Sequence, residues 1–373
     1  MYTGVVNTSV RSPAATRLRS PRHVARHWVS PALFDFWASR FSRTLTWDRP
    51  LARVVAREAA SIDAVTLRLR PNRHWRGLQP GQHVNVSAEI EGTLVTRSYS
   101  PSRCVADPRC IEITVKRIPG GKLSPHLCDG VQVGDVLDLG AAFGEMTLAR
   151  PLAAPLLLLA AGSGITPMLA LLRALDRDGF DVPVTLLYWA RTRAELCFVD
   201  ELRALAERSN FRLRLALTRE AAGSDDEIVG RIDAAVLARE VDSLSARDVF
   251  ACGPAGFVAN ARTLLESNVR AFQAEAFTLP APQGEDTDGE VWVTLARSER
   301  RLAVPRGQSL LTALEAHGLK PKSGCRMGIC NTCACGKTAG STRKLLDGAP
   351  EHEPVTALKL CISSAASDLV LEL

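Results

Sequence analysis

No apolar run in this 373-residue sequence approaches the roughly 18 to 20 residues that a membrane-spanning helix needs. The longest apolar run, Leu156 to Ala161, is only as long as a strand. The first thirty residues contain several arginines and lack the apolar core of a secretory signal. The sequence therefore predicts a cytoplasmic protein.

Net charge is lacking over most of the chain. Residues 1–50 contain eight Arg, no Lys and two Asp, and their net charge of +6 equals that of the whole chain. The remaining residues are neutral in sum, so the sequence does not indicate a nucleic-acid-binding body. A composition of 46% hydrophobic and 23% charged residues excludes disorder as the overall state.

Disulfides are not expected in a cytoplasmic chain, yet the sequence contains ten cysteines. Half of them lie in the last fifty residues, where metal or redox chemistry is the natural interpretation. Small buried apolar side chains are the simpler interpretation for four others, Cys104, Cys110, Cys128 and Cys197.

Hydrophobic periodicity predicts several domains. Residues 1–45 form a basic and aromatic arm, and residues 46–150 contain six short strands typical of an antiparallel β-barrel. Residues 151–280 alternate apolar strands with helices, which predicts an α/β domain with a parallel sheet. A linker rich in proline and acidic residues, 281–290, precedes a last unit over 291–373, with two strands, a helix over Ser309–Ala316, a cysteine loop and a final strand.

The cysteine loop has ligand spacing. Cys325, Cys330 and Cys333 follow a C-x4-C-x2-C pattern, and Cys361 provides a fourth thiolate further along the chain. This is the plant-type [2Fe–2S] pattern, whereas zinc sites favour paired C-x2-C spacings. Zinc remains the alternative, and Cys335 is interpreted as a bystander.

The predicted barrel contains three segments suited to a flavin. Pro80-Gly81-Gln82-His83 and Arg97-Ser98-Tyr99-Ser100 lie on neighbouring strands, where Arg can hold a phosphate and Ser can donate toward the flavin ring. Gly120-Gly121-Lys122-Leu123-Ser124 opens a helix whose first N–H groups are suited to phosphate. Each segment alone also fits an ordinary strand or turn.

The predicted parallel sheet contains two further motifs. Gly162-Ser163-Gly164-Ile165-Thr166-Pro167 follows an apolar strand and opens a helix, a context in which glycines let the backbone approach a pyrophosphate. Proline at the sixth position departs from G-x-G-x-x-G but suits the first turn of a helix. Cys252-Gly253-Pro254 follows the last predicted strand, and Glu275-Ala276-Phe277 lies downstream.

Coenzyme choice depends on the residues after the domain's second strand. Arg191 and Arg193 lie there in place of an acidic residue, and Arg accommodates a 2′-phosphate whereas an acid binds a free 2′-hydroxyl. NADPH is therefore preferred to NADH, although a surface arginine needs no ligand.

Together and in this order, the motifs resemble the ferredoxin–NADP reductase family. The resemblance implies that the R-x-Y-S and G-x-x-S segments, with His83, hold FAD, or FMN as in the phthalate dioxygenase reductase branch. It implies that the G-x-G-x-T-P loop and the C-G-P segment bind the nicotinamide coenzyme, and that Phe277 covers the flavin face unless it only packs in the core. Ser100, Cys252 and Phe277 would be the catalytic residues, and the last unit would be an α+β ferredoxin domain of β-grasp type.

The predicted function is an NAD(P)H-dependent reductase that passes single electrons through the cluster to an oxygenase or a fatty-acyl desaturase. The domain order resembles that of the reductases of phthalate dioxygenase, phenylacetyl-CoA epoxidase and bacterial acyl-CoA desaturase systems. Two alternatives are a redox-sensing protein without turnover and a quinone or flavin reductase that needs no protein partner.

The arm has its own interpretation. Ser30 and Pro31 predict a helix start, after which Phe34, Trp37 and Phe41 fall on one face. Upstream arginines make the segment polybasic, a combination typical of helices on anionic lipid at the inner face of a membrane. Packing of the helix on the chain's own barrel is the alternative.

Overall fold

The computed structural model describes residues 30–277, 289–346 and 348–373. The chain divides into two compact units, residues 1–49 and 50–373. The upstream arginines of the predicted polybasic segment and most of the predicted linker lie outside the described residues.

The described part of the first unit is a short helix followed by a turn. Helix α1 (Pro31–Ala38) begins with proline in its first turn, as predicted, but the Ser30 side chain makes no capping hydrogen bond. The Phe34 ring packs edge-on against Trp47 at 5.3 Å, and the Asp35 carboxylate accepts the Trp47 N–H at 2.7 Å. These contacts fold residues 30–49 back on themselves.

The exposed face of α1 differs from the predicted one. Leu33, Phe36 and Trp37 of α1 are between 54% and 60% exposed, and Phe41, in the turn that follows the helix, is 88% exposed. The prediction that Phe34 shares this face is wrong, because its ring is held by Trp47.

The second unit begins with an antiparallel sheet of order β4-β3-β7-β1-β2-β6-β5. Its strands are β1 (Leu51–Ser61), β2 (Ala64–Pro71), β3 (His83–Ile90), β4 (Thr93–Tyr99), β5 (Ser102–Arg103), β6 (Ile111–Lys116) and β7 (Val136–Phe143). Apolar side chains from six of the seven strands meet in one core, as in a barrel. A short helix, α2 (Leu123–Pro125), continues as a π-helical turn over His126–Gly130 and adds Leu123 and Leu127 to that core.

A six-stranded parallel sheet of order β11-β10-β9-β8-β12-β13 follows. Its strands are β8 (Leu156–Ala161), β9 (Val184–Ala190), β10 (Phe211–Leu217), β11 (Glu227–Val229), β12 (Asp248–Gly253) and β13 (Ala271–Ala276). Its helices are α3 (Ile165–Asp178), α4 (Val199–Leu205), α5 (Ala234–Glu240) and α6 (Ala255–Leu265), and two separate cores contain the side chains of alternate strand residues. The chain order reverses between β8 and β12, so the ligand crevice is expected beyond the carboxyl ends of these two strands.

The last domain is a mixed sheet of order β15-β14-β21-β16-β19 with one helix, α7 (Leu310–Ala316). Its strands are β14 (Glu290–Leu295), β15 (Arg301–Pro305), β16 (Ala334–Ala339), β19 (Val355–Lys359) and β21 (Leu369–Leu371), and a small sheet contains β17 (Thr342–Lys344), β18 (Pro350–Glu351) and β20 (Ser363–Ala365). The Ser309 hydroxyl accepts the Thr312 N–H at 3.1 Å and caps α7. The cysteine loop lies between α7 and β16.

Charged contacts join the barrel to the parallel-sheet domain. Arg173 of α3 donates to the Ser102 hydroxyl at 2.7 Å and to the Glu112 carboxylate at 2.7 Å, while its other nitrogens bind Glu201 of α4. Lys116 of β6 donates to Glu195 at 3.0 Å. These pairs fix the orientation of the crevice relative to the barrel. Within the described residues, no helix has both the length and the apolar character needed to cross a membrane.

Candidate functional site

The loop after β8 is pressed against the end of β12. A β-carbon on Gly164 would lie 2.0 Å from the carbonyl oxygen of Cys252, so no larger residue fits there. Gly162 adopts a φ of 55°, a left-handed conformation that glycine tolerates. The Thr166 hydroxyl donates to the Ser163 carbonyl at 3.0 Å, and Pro167 lies in the first turn of α3. The two predicted motifs of this domain therefore meet at the crevice.

A pocket of about 710 Å³ opens at this crevice. Among its lining residues are Gly162, Ser163, Trp189, Arg191, Pro254 and Phe277. The Trp189 indole nitrogen is buried and has no hydrogen-bond partner among the described residues. A buried donor of this kind is suited to a polar ligand in the pocket.

Three arginines line the pocket, and they differ in whether the guanidinium is paired with a carboxylate. Arg191 lines it but is paired with Glu195 at 2.9 Å. Arg219 and Arg231 also line it and are exposed, and neither guanidinium has a hydrogen-bond or ion-pair partner in the described part of the chain. Arg193 does not line the pocket and is paired with Glu220 and Glu227. Sequence reasoning missed Arg219, although it follows the third strand as Arg191 follows the second.

Three polar side chains form a buried chain between the barrel and the parallel sheet. The Ser100 hydroxyl is hydrogen-bonded to His83 Nδ1 at 2.7 Å, and His83 Nε2 is hydrogen-bonded to the Glu275 carboxylate. His83 is 1% exposed, whereas the Glu275 side chain is 14% exposed. The sequence motifs included Glu275 but assigned it no role, because its partner lies in another domain.

Cys252 and Phe277 lie beside this chain. Cys252 pairs in register with Glu275, and burial, reinforced by that carboxylate, raises the pKa of its thiol well above the ordinary value. The side chain is therefore an uncharged thiol and not a nucleophilic thiolate. The Phe277 N–H donates to the Gly253 carbonyl at 2.9 Å, and its ring meets that of His83 edge-on at 6.0 Å. Phe277 thus lines the pocket and also packs against the core.

The other end of the R-x-Y-S segment is electropositive. The Arg97 guanidinium donates to the Thr96 carbonyl at 2.7 Å and has no ion pair among the described residues. Burial, followed by the nearby charge of Arg326, lowers its pKa. Ser98 donates to Asn85 at 2.6 Å, and Tyr99 is half-buried.

The predicted phosphate loop forms a tight turn. The Ser124 hydroxyl accepts the Ile118 N–H at 3.2 Å, and α2 begins at Leu123, after Gly121 and Lys122. A β-carbon on Gly121 would lie 3.0 Å from the Ile118 carbonyl oxygen, which favours glycine there.

The four predicted cluster ligands form two pairs. Cys325 lies beside Cys330 and Cys333 beside Cys361, and in each pair the neighbouring thiol lowers the pKa of one member, Cys330 or Cys333, and raises the pKa of the other. The N–H groups of Met327 and Cys330 donate to Cys325 Sγ at 3.3 Å each. Among the described residues, no group of three or more His, Cys, Asp or Glu side chains lies close enough together to hold one metal ion. The four thiols are therefore arranged as two pairs.

The remaining cysteines lie outside these pairs. Cys335 is half-buried, and its thiol donates to the carbonyl of Gly336 at 3.6 Å. The four cysteines that the sequence analysis interpreted as small apolar side chains are buried: Cys104, Cys110, Cys128 and Cys197.

The sequence matches three domain families in the order of the domains described above. Residues 51–148 match the oxidoreductase FAD-binding domain, residues 158–263 the oxidoreductase NAD-binding domain and residues 293–365 the 2Fe-2S iron-sulfur cluster binding domain. These matches confirm the predicted cofactors, FAD, NAD(P)H and a [2Fe–2S] cluster.

Comparisons with individual proteins, over most of the chain, agree with these domain matches. The chain is 33% identical to an NADPH oxidoreductase of Mycobacterium tuberculosis, over 94% of this chain and 92% of that protein. It is 32% identical to the ferredoxin reductase component of 3-ketosteroid-9-alpha-monooxygenase from the same species, over 78% of this chain and 84% of that protein. The structure of phthalate dioxygenase reductase has the same fold, with a TM-score of 0.59 at 23% identity over 87% of this chain and 97% of that one.

The chain therefore belongs to the ferredoxin–NADP reductase superfamily, among the reductases that have a C-terminal plant-type [2Fe–2S] domain. It is an NAD(P)H-dependent oxidoreductase that transfers electrons through FAD and the cluster. The predicted fold class, an antiparallel flavin domain, a parallel-sheet nicotinamide domain and a ferredoxin domain, is confirmed.

The residues present fit these cofactors. An arginine without a carboxylate partner suits a flavin phosphate, and an unpartnered buried indole N–H suits a polar coenzyme. Two thiol pairs with backbone N–H donors suit two irons.

Proposed function

We propose that hydride transfer takes place where the pocket meets the chain of Ser100, His83 and Glu275. The observation that carries this proposal is that this chain of side chains, which joins the barrel to β13, contacts the lining residue Phe277 through the ring of His83. FAD, when bound, accepts a two-electron hydride and releases electrons singly. Phe277 shields the reacting face from water, and the uncharged Cys252 thiol leaves room for the nicotinamide ring.

The cofactor-binding roles follow from the same geometry. Arg97 neutralises the flavin phosphate, Tyr99 packs along the flavin, and Gly121, Lys122, Leu123 and Ser124 present backbone N–H groups at the start of α2. The loop Gly162–Pro167 and the segment Cys252–Pro254 hold the coenzyme at the switch point of the sheet. Cys325 and Cys330 bind one iron, and Cys333 and Cys361 bind the other.

The electron acceptor is proposed to be an oxygenase. The monooxygenase component named among the relatives supports this class of partner. A direct test is anaerobic addition of NADPH to the purified protein, followed optically and by electron paramagnetic resonance. Flavin bleaching should precede the signal of the reduced cluster, and a cluster that is never reduced would contradict the proposed electron path.

Coenzyme preference provides the first prediction. Arg219 and Arg231 line the pocket without partners, whereas Arg191 is already held by Glu195, so we propose that NADPH is preferred and that Arg219 reads its 2′-phosphate. Replacing Arg219 by Ala should raise KM for NADPH about 10- to 100-fold more than KM for NADH, because a charge-assisted contact is lost. Steady-state kinetics with both coenzymes measures this difference.

Arg191→Ala is the matched comparison. It should also raise KM for NADPH more than for NADH, but by a smaller factor than Arg219→Ala. Equal effects on both coenzymes in the two variants would show that neither arginine recognises the 2′-phosphate.

We also propose that the arm docks the reductase on an anionic membrane. Such docking would suit the alternative acceptor, a membrane-bound fatty-acyl desaturase, better than a soluble oxygenase. The exposed face of Leu33, Phe36, Trp37 and Phe41 supports this, as does Arg40, whose guanidinium lies 5.5 Å from the centre of the Phe36 ring. Aromatic side chains with arginines nearby are typical of interfacial helices.

A deletion tests the arm. Removing residues 1–49 should leave flavin content and cytochrome c reduction unchanged, while weakening binding to phosphatidylglycerol vesicles at least about tenfold, since each basic residue near an anionic surface contributes about 1 kcal/mol. Sedimentation with phosphatidylglycerol and with phosphatidylcholine vesicles measures this. The variant Phe36→Ser/Trp37→Ser/Phe41→Ser, which keeps every arginine, is the control for the aromatic contribution. Loss of flavin from the deletion variant would instead establish a structural role for the arm.

A further inference from the structure

We infer that Asn85 of the flavin barrel sets the reduction potential of the cluster, through the dipole of an amide N–H group that lies beside Gly324, as the sulfur of Cys330 does. Asn85 would thereby be a positioning residue for electron transfer between the two cofactors. The inference rests on the proposed ligation of the cluster by Cys330.

The orientation of the Asn85 amide is fixed within the barrel. Asn85 lies on β3 directly opposite Ser98 of β4, and its Oδ1 accepts the Ser98 hydroxyl at 2.6 Å. Because the oxygen end is engaged by Ser98, the donor end, Nδ2, is the end that faces the cysteine loop. On the other side, a β-carbon on Gly140 of β7 would lie 3.1 Å from the Asn85 β-carbon, so the neighbouring strand holds the side chain closely.

The cysteine loop meets this amide at Gly324. Three atoms surround the position that a Gly324 β-carbon would take: Cys330 Sγ at 2.8 Å, Thr332 Oγ1 at 2.9 Å and Asn85 Nδ2 at 3.1 Å. A β-carbon at this buried position would collide with the first two atoms and crowd the third, so glycine is favoured where the barrel and the loop approach each other. The donor end of Asn85 and the ligand sulfur therefore both lie beside Gly324, where the barrel meets the cysteine loop.

Two arginines lie near this contact, and one of them is paired with a carboxylate. The Arg326 guanidinium is held by Glu315 through hydrogen bonds of 2.8 Å and 2.5 Å, and its charge is close enough to influence Arg97, which precedes Ser98 in the barrel. Asn85 thus lies where a residue of the flavin motif, the cysteine loop and two positive charges come together.

The direction of the effect follows from charge. Reduction adds an electron to a cluster whose sulfur ligands are already anionic, so N–H groups directed at those sulfurs stabilise the reduced state and raise the potential. The Cys325 N–H already donates to Cys330 Sγ at 3.2 Å. Asn85 places a further N–H group near this sulfur from the other domain, which makes the potential depend on how the barrel and the ferredoxin domain are docked.

The test uses the full-length protein with both cofactors bound and two substitutions. Asn85→Ala removes the dipole, and Asn85→Asp keeps the shape but replaces the donor by a negative charge. The cluster midpoint potential, measured by redox titration with electron paramagnetic resonance detection, should fall in the order wild type, Asn85→Ala, Asn85→Asp. For Asn85→Ala, the equilibrium constant for electron transfer from the flavin to the cluster should fall tenfold. This corresponds to a fall of about 59 mV in the one-electron midpoint potential of the cluster.

Two controls accompany the titration. Asn268 is an exposed asparagine shortly after the end of α6, where its amide donates to the Leu264 carbonyl. The Asn268→Ala variant should leave the midpoint potential of the cluster unchanged. Flavin reduction by NADPH, followed by stopped flow, should be unchanged in both Asn85 variants because it precedes the cluster step.

The outcomes separate the inference from the proposed function. A wild-type protein without a cluster signal would overturn the proposed ligation itself. A normal wild-type cluster whose potential is the same in both Asn85 variants would overturn only the role of Asn85. Loss of flavin or cluster from both variants would likewise overturn the potential-setting role, in favour of a purely structural one.

Discussion

The Cys330→Ser variant is expected to lose the iron and labile sulfide of the cluster while retaining FAD. Cys330 is paired with Cys325 and receives its backbone N–H, so its removal breaks one of the two thiol pairs. The flavin motifs lie in a different domain with its own core. NADPH should therefore still reduce ferricyanide through the flavin, whereas delivery of electrons to the proposed oxygenase partner should cease.

Cys335→Ser is the matched control. This thiol lies two residues beyond Cys333 but belongs to neither pair, so its replacement should leave iron, sulfide and partner reduction at wild-type levels. Iron and sulfide assays with absorption spectra measure both variants. A full complement of iron in Cys330→Ser, or its loss in Cys335→Ser, would show that the ligands have been assigned incorrectly.

The sequence predicted the elements whose signals are local. Leu156–Ala161 is fully buried along its length and was recognisable as a central strand from its apolar run. The proposed cluster ligands could be picked out because three of them lie within one loop, at the spacing that a plant-type cluster requires. Strands of two or three residues, such as Ser102–Arg103 and Pro350–Glu351, are too short to show any periodicity.

Contacts between domains were not predictable from the sequence. His83 and Glu275 are 192 residues apart, and only the docking of the barrel on the parallel sheet brings them together. The same holds for Asn85 and Gly324, whose residue types alone carry no signal. The face of α1 was wrongly predicted for a related reason, because the periodicity of the helix does not reveal that Trp47 folds back onto Phe34.

Proton release from the reduced flavin is expected to depend on His83. Each hydride brings in a hydrogen that must leave as a proton, because the cluster accepts only electrons. Ser100 is hydrogen-bonded to His83, and His83 to the less buried Glu275, so these side chains offer a path from the flavin toward solvent. In His83→Phe, which keeps an aromatic ring beside Phe143 and Phe277, flavin reoxidation should slow about 100-fold, as when a general acid–base group is lost.

The two half-reactions separate this role from a structural one. Stopped flow should show nearly normal flavin reduction by NADPH in His83→Phe, followed by slow electron delivery to the cluster. Glu275→Gln, which keeps a hydrogen-bonding group beside His83 but cannot accept a proton, should slow the same step and enlarge its solvent isotope effect in D₂O. Thermal unfolding accompanies the kinetics, since the Phe variant leaves Ser100 and Glu275 unpaired at a cost of about 1–3 kcal/mol each. Reoxidation at the wild-type rate in both variants would mean that the proton leaves the flavin by a route that does not include His83.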